Sequence, residues 1–304
     1  METDQIQHVR SFNRTVTQRI GALNGSFLDR GRPLGEARLL YEIGRDGREV
    51  RVLREKLSLD SGYLSRLLRS LERQGLVRTR RGAGDGRGRY VEPTRTGVDE
   101  LAEYERRSDS FAQSLLLPLS NNQRDRLVAA MAEVERLMRA AAVEIRVEKS
   151  DSAAALSCLE SYYRELAERF EGGYDPAVAL PLGPDKLTPP TGCFIVGHLD
   201  GTPIACGALR VKDAGIGEIK RMWVAASARG LGVGRRMLMS LEEHARRFGL
   251  SVLRLDTNKV LKEAQNLYRT SGYQEVARFN DEPYAHYWFE KVDIGGPFRD
   301  EKLE

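Results

Sequence analysis

Along the first 143 positions, apolar residues recur at helical spacing. Ile6, Val9, Phe12, Val16 and Ile20 mark a first helix, and Leu34 to Ile43 a second. The Asp46-x-x-Glu49 spacing predicts a capped short helix running through Leu57. Leu64, Leu67, Leu68 and Leu71 predict another, with Asp60 as its cap and Gly75 as its stop. The period then switches to two: Leu76–Arg80 and Arg89–Glu92 read as strands around a glycine-rich turn, Gly82–Gly88. Helix returns from Thr96 to about Leu117. Ser120 and Gln123 form a capping box for a last long helix carrying Leu127, Met131, Val134, Leu137 and Met138.

From Glu144 the grammar changes. Short alternating or wholly apolar runs (144–150, 193–199, 203–211, 216–224, 251–256, 275–279, 286–292) alternate with helical stretches at 153–170, 231–248 and 263–271. The reading is a multidomain α+β chain. A mainly-α domain with one β-hairpin spans 1–143, and an α/β domain with a mixed central sheet spans 144–304.

Charge sharpens the division. Lys and Arg outnumber Asp and Glu by 28 to 22 over residues 1–150, and fall short by 20 to 22 over 151–304. Between Arg66 and Arg95 stand nine arginines and three acids, a local excess suited to a polyanion. No apolar run approaches a membrane span, and the N-terminus, METDQIQHVRSF, has no apolar leader core. With three unpaired-looking cysteines (Cys158, Cys193, Cys206), the expected location is the cytoplasm. The four histidines lack ligand spacing, so no metal is expected.

Helix, short helix, helix and basic hairpin is the order of a winged helix-turn-helix. The helix after Asp60 would lie in the major groove with its leucines inward. Ser61, Gly62, Tyr63, Ser65, Arg66 and Arg69 would then face DNA. Arginine matches guanine edges through a bidentate fork. The hairpin arginines Arg80, Arg81, Arg87 and Arg89 would reach the minor groove and phosphates. "LDSGYLSRLLRSLERQGLV" and "GDGRGRYVEPTRTG" resemble the recognition helix and wing of the MarR family of transcriptional regulators. Asp85 and Arg87 match its wing Asp-x-Arg, and Thr94 and Gly97 its Thr-x-x-Gly. The resemblance implies a homodimer joined by terminal helices and reading a pseudo-palindromic operator in duplex DNA. The extra glycines at 82, 84, 86 and 88 depart from the family's wing.

The loop "SARGLGVGRR" (227–236) sits between a strand and a helix, where glycine amides and a helix N-terminus can hold a phosphate. A Walker loop needs Lys-Ser/Thr after its last glycine, but Arg235 and Arg236 follow Gly234. A dinucleotide fingerprint starting at Gly230 needs glycine at 235. Arg229, Gly232 and Gly234 fit Arg-x-x-Gly-x-Gly. With "GEIKRMWVAASARGLGVGRRMLMSLEEHARRFG" and "EAQNLYRTSGYQEV" around it, the stretch resembles the GNAT family of N-acetyltransferases, over about residues 144–292.

That resemblance implies acetyl-CoA as cofactor. The amides of Arg229, Gly230, Leu231, Gly232, Val233, Gly234 and Arg235 would cradle its pyrophosphate. Backbone groups at Met222, Trp223 and Val224 would pair with the pantetheine arm, on a strand that splays from its neighbour. Asn266 would bond the arm, and Tyr268 would protonate the leaving thiolate; a packed core tyrosine is the alternative. An amine arrives mostly protonated, so a base is needed. Glu218 is the candidate base, with a salt bridge to Lys220 or Arg221 as its other reading. Asp256 and Asn258 end the next strand with no role assigned.

Three functions stay open. The chain is a DNA-binding regulator with a working acetyltransferase acting on an amine of a small molecule or protein; or a regulator whose second domain only senses acetyl-CoA or a metabolite; or an enzyme whose winged helix serves dimerisation.

Overall fold

The computed structural model describes residues 3–81, 88–180 and 182–294. The chain divides into two compact units, Met1–Ala129 and Ala130–Glu304. The division falls inside a long helix, and the expected boundary at 143/144 lies just past that helix's end. No helix among the described residues is long and apolar enough to cross a membrane.

The first unit runs α1 (Thr3–Arg19), α2 (Leu34–Ile43), β1 (Arg48–Glu49), α3 (Val50–Lys56), α4 (Ser61–Arg73), β2 (Val77–Arg81), β3 (Arg89–Pro93), α5 (Arg95–Leu116) and the start of α6 (Asn121–Ala141). The strands form an antiparallel sheet in the order β1-β3-β2. Leu39, Leu40, Leu53, Leu64, Leu68, Leu71 and Val91 close the core where α2 and α4 meet β3. The Asp60 side chain accepts from the Tyr63 amide at 2.8 Å and starts α4. The expected cap at Asp46–Glu49 does not form. Gly47 takes a positive φ of 79°, and Arg48 and Glu49 pair with Val91 and Tyr90, so α3 begins only at Val50. At the hairpin's exit, Thr94 Oγ1 donates to the Gly75 carbonyl at 2.6 Å and accepts from the Gly97 amide at 3.1 Å. Gly97 itself has no room for a side chain: a Cβ there would lie 2.0 Å from the Leu76 carbonyl oxygen.

The second unit contains the end of α6, then β4 (Glu144–Glu148), α7 (Ala153–Arg169), β5 (Gly192–Leu199), β6 (Thr202–Asp213), β7 (Ile216–Val224), α8 (Val233–Arg247), β8 (Val252–Thr257), α9 (Lys262–Thr270), β9 (Gln274–Val276) and β10 (Tyr287–Val292). Seven strands pair in the order β4-β5-β6-β7-β8-β10-β9, all antiparallel except β7 with β8. Helix α8 covers one side of the sheet with Met237, Leu238 and Leu241, all fully buried against Ile195, Leu209 and Leu253. Cys158, Cys206, Phe194 and Val196 form a second cluster under α7. The last strand pair is shorter than the 275–279 pattern suggests. Arg278 bonds the Asn280 carbonyl, and Phe279 lies under the Arg254 guanidinium at 5.3 Å, which ends β9 at Val276.

Glu218 sits inside this sheet rather than in a reaction site. It pairs in register with Arg210 on β6. Its carboxylate accepts from Arg210 Nε at 2.7 Å and from Lys212 Nζ at 3.2 Å, and it is 1% exposed. Burial pushes the carboxyl up, but the charges of Lys220, Arg210 and Lys212 with the Arg210 hydrogen bonds outweigh it and hold it below the usual range. A carboxylate so held is a poor proton acceptor, which corrects the expectation of Glu218 as base. The salt-bridge reading survives with Arg210 and Lys212 as partners instead of Lys220 or Arg221.

Two stability outcomes follow from this packing. Gly97→Ala should destabilise the first unit by about 1–3 kcal/mol, read in the full chain as loss of helical circular dichroism at lower urea. An unchanged midpoint would show that α5 can move off Leu76. For Glu218, the folded pKa lies below the unfolded value of about 4.3. Its stabilisation is therefore full above that value and fades as pH falls through the folded one. Glu218→Gln should melt below wild type at about pH 7, by roughly 3 kcal/mol, and the gap should narrow as pH falls below the unfolded value of about 4.3. A gap independent of pH would contradict the ion pair's contribution.

Candidate functional site

The second unit's cleft begins where two strands part. β7 pairs with β8 only over Ile216–Glu218, leaving Ile219–Val224 unpaired on that side. On its other side β7 carries a bulge. Cys206 pairs with Trp223 and Ala208 with Lys220, so Gly207 alone faces both Arg221 and Met222. A Cβ on Gly207 would meet Met222 Sδ at 2.9 Å. The extra residue is absorbed at Arg221, whose φ of 55° is left-handed. Such a conformation costs about 1–3 kcal/mol and persists only where the surroundings enforce it.

Two cavities open beside the unpaired segment. The larger, about 490 Å³, is lined by Met222, Trp223, Val224, Arg229, Gly230, Gly232, Val233, Gly234, Arg235 and Asn266. Ten of the eleven residues expected to hold the cofactor are thus together. The exception is Leu231, whose side chain turns into the core, so only its backbone remains in the loop. Gly230 and Gly232 adopt φ of 77° and 73°, and no atom lies within 4 Å of where their side chains would begin. Gly232 ends the loop and α8 starts at Val233 with no side-chain cap, so its first amides have no partner within the helix and belong to residues that line the cavity. The Asn266 side chain has no hydrogen-bond partner among the described residues and lines the same cavity. An unpaired strand edge, a glycine loop and a bare helix start together fit a coenzyme with an amide-bearing arm and a pyrophosphate.

The Arg229 guanidinium is folded back. It donates to both Glu165 oxygens at 2.6 Å and to the Val224 carbonyl at 3.1 Å. Glu165, on α7, also accepts from Trp223 Nε1 at 2.9 Å and Arg169 Nη1 at 3.0 Å. It is the residue that sequence reasoning missed: its only local signal is the i,i+4 spacing with Arg169. Burial pushes its carboxyl up, and the Arg229, Trp223 and Arg169 hydrogen bonds more than reverse this.

The smaller cavity, about 150 Å³, lies on the other side of a wall formed by Tyr162, Leu166, Met222, Leu261, Ala264 and Tyr268, which line both. The Tyr268 ring is set by Tyr273 at 6.1 Å and Phe289 at 5.8 Å. Its hydroxyl has no hydrogen-bond partner among the described residues. Burial, with the Asp256 charge nearby, raises its pKa and keeps it protonated. Glu218 reaches neither cavity, whereas Asp256 and Asn258 line the smaller one. Asp256 is ion-paired with Lys220 and accepts from Asn280 Nδ2 at 2.8 Å.

In the first unit, α4 turns Ser61, Gly62, Tyr63, Arg66 and Arg69 to solvent while Ser65 is half-buried. Arg66 lies 5.6 Å over the Tyr63 ring. On the hairpin, Arg81 and Arg89 face each other in register, exposed and without an ion pair among the described residues. Like charges directly opposite oppose pairing unless an anion bridges them. Arg80 is less free than expected: it is 3.1 Å from Glu92 and stacked 4.5 Å over Tyr90. Arg87, with Asp85, lies outside the described residues.

Comparison with known proteins agrees with both units. Residues 159–273 match the acetyltransferase (GNAT) family, and residues 30–88 the MarR family. The chain is 37% identical over 123 residues to an IAA acetyltransferase of Azospirillum brasilense, covering 40% of this chain and 79% of that one. It is 33% identical over 108 residues to the uncharacterized N-acetyltransferase YsnE of Bacillus subtilis, covering 35% and 68%. A solved acetyltransferase of the GNAT family from Staphylococcus aureus is 16% identical, with a TM-score of 0.44, over 49% of this chain and 99% of that one. The protein is an acetyltransferase belonging to the GNAT family, and residues 30–88 of the same chain match the MarR family.

Proposed function

We propose that the second unit binds acetyl-CoA in the larger cavity and transfers its acetyl group to an amine seated in the smaller one, and that the first unit binds duplex DNA as a homodimer. The observation that carries the transfer reading is the wall shared by the two cavities at Met222 and Tyr268. A sensor of acetyl-CoA needs the larger cavity alone. A second cavity behind an unpartnered tyrosine hydroxyl supplies an acceptor site beside an acid, as a reaction requires.

In that reaction the amine nitrogen forms a bond to the acetyl carbon and the carbon–sulfur bond breaks. Tyr268 gives its proton to the departing thiolate. With Glu218 locked in the sheet and Asp256 paired with Lys220, the amine's proton leaves to water in the smaller cavity. The exposed edge of β7 at Met222–Val224 offers backbone groups to the pantetheine arm, and the 229–235 amides offer theirs to the pyrophosphate. For the first unit, the opposed Arg81 and Arg89 support a phosphate contact. Helix α1 supports dimerisation: it buries no residue, Ile6, Val9, Phe12 and Val16 stay exposed along it, and Ile20 is exposed just past its end.

Tyr268→Phe should lower kcat by about 10²–10⁴-fold while leaving the dissociation constant of acetyl-CoA unchanged in calorimetry. Unaltered turnover would remove the acid role. Arg89→Ala should weaken binding to any duplex and reduce the slope of log K against log salt by about one. An unchanged slope would place the hairpin off the phosphates.

A further inference from the structure

The small cavity has a composition that narrows its ligand. One part is aromatic: Tyr162, Tyr163, Phe170, Tyr174 and Tyr284 all line it. Neighbouring rings along this group lie 4.7–5.8 Å apart between centroids. The rings pack on one another at interplanar angles from 20° to 84° and line this part of the cavity with aromatic carbon, which suits an aromatic ligand. The other part is charged. Arg210, Lys220 and Arg221 line the cavity against the carboxylates Asp256 and Glu282. Arg210 is spent on Glu218 and Lys220 on Asp256. Glu282 accepts from the Leu180 amide at 3.2 Å. Arg221 has no carboxylate within 4 Å among the described residues. Its only hydrogen bond there runs from Nη2 to the Leu182 carbonyl, at 3.2 Å. The remaining guanidinium donors are uncommitted, on the one residue of β7 held in a left-handed conformation.

We infer that the acetyl acceptor is a free amino acid with an aromatic side chain, its carboxylate bound by Arg221 and its ring laid on the tyrosine surface. This rests on the acetyl-transfer reading. Charge decides between acceptor classes. An amine must shed its proton before attack, so an amino acid reacts as a net anion, and Arg221, a lining cation with no carboxylate within 4 Å among the described residues, answers it. A polyamine, or a lysine side chain among other cations, would bring positive charge beside Arg221 and offer it no carboxylate. A protein N-terminus has no carboxylate one carbon from its nitrogen to meet Arg221. A planar guanidinium can hold a carboxylate through two parallel hydrogen bonds, which fixes orientation as well as affinity. In the transfer itself the acetyl group moves to the amino nitrogen and one of that nitrogen's protons leaves. The carboxylate stays intact.

The full chain is to be assayed with acetyl-CoA by free-thiol release against L-phenylalanine, L-tyrosine and L-tryptophan. The same assay is run with phenethylamine, tyramine and tryptamine, which lack only the carboxylate, and with spermidine and a lysine peptide. The wild type should prefer each amino acid over its decarboxylated partner by about 10–100-fold in kcat/KM. Arg221→Ala should collapse that ratio to near unity. Arg221→Gly, which removes the strain along with the guanidinium, should do the same while melting no lower than wild type. The inference is overturned if the amines, spermidine or the peptide are preferred, or if either variant keeps the ratio. It is also overturned if acetyl-CoA binds in calorimetry yet no amino acid is acetylated. Absence of acetyl-CoA binding would sink the transfer reading as well, which separates the two failures.

Discussion

One extra residue in one strand organises the second unit. Because Gly207 faces both Arg221 and Met222, β7 bends away from β8 after Glu218. Beyond that point the backbone groups on the β8 side of β7 have no sheet partner and become available to something else, while the other side stays paired with β6. An unpaired strand edge is costly unless a ligand or solvent satisfies it. Here it lies between a glycine loop and a tyrosine wall, so the defect in the sheet is also the opening in which chemistry can occur. The adjoining loop obeys the same logic, since positive φ at Gly230 and Gly232 turns its amides outward and ends at a bare helix start.

Arginine–carboxylate forks then fix the surroundings of that opening. Glu165 draws Arg229, Arg169 and Trp223 onto α7 and so ties the loop's first residue to a helix far away in sequence. Glu218 ties β6 to β7 just before the strands part. In the first unit Glu100 does comparable service, accepting from Arg30 at 2.9 and 2.6 Å and from Arg32 at 2.6 Å, which anchors the segment before α2 to α5. Partly buried forks of this kind are short, directional and stronger than exposed pairs. Among the described residues they leave Arg221 beside the cleft, and Arg81 and Arg89 on the hairpin, without a carboxylate partner.

Much of this was legible from local pattern. The Asp60 cap, the Thr94–Gly97 pair and the capping box at Ser120, where Gln123 Oε1 accepts from the Ser120 amide at 2.9 Å, act within four residues and read directly from spacing. So did the loop glycines, because left-handed backbone selects glycine. What escaped was set across the sheet. Glu218 had the right residue type on the right strand, but its partners Arg210 and Lys212 come from register with β6. Arg221 carries a left-handed φ that no local rule assigns to arginine, since it arises only from the mismatch opposite Gly207. Glu165 looks like an ordinary solvated helix position until the chain has folded. The misplaced start of α3 has the same origin: Asp46–Glu49 has the spacing of a cap, but pairing with β3 claims those residues first.

The opposed arginines of the hairpin have a thermodynamic corollary. Arg81 and Arg89 repel across β2 and β3 in the free protein, so closing the hairpin there works against its own charge. Dissolved ions relieve that repulsion by screening, and they also compete for the phosphates such a hairpin would grip. Added salt therefore acts in opposite senses on the two equilibria, steadying the empty hairpin while weakening its hold on a polyanion. A phosphate held between these arginines would supply locally what salt supplies in bulk, so occupancy and the pairing of β2 with β3 would be linked functions of a single charge pair.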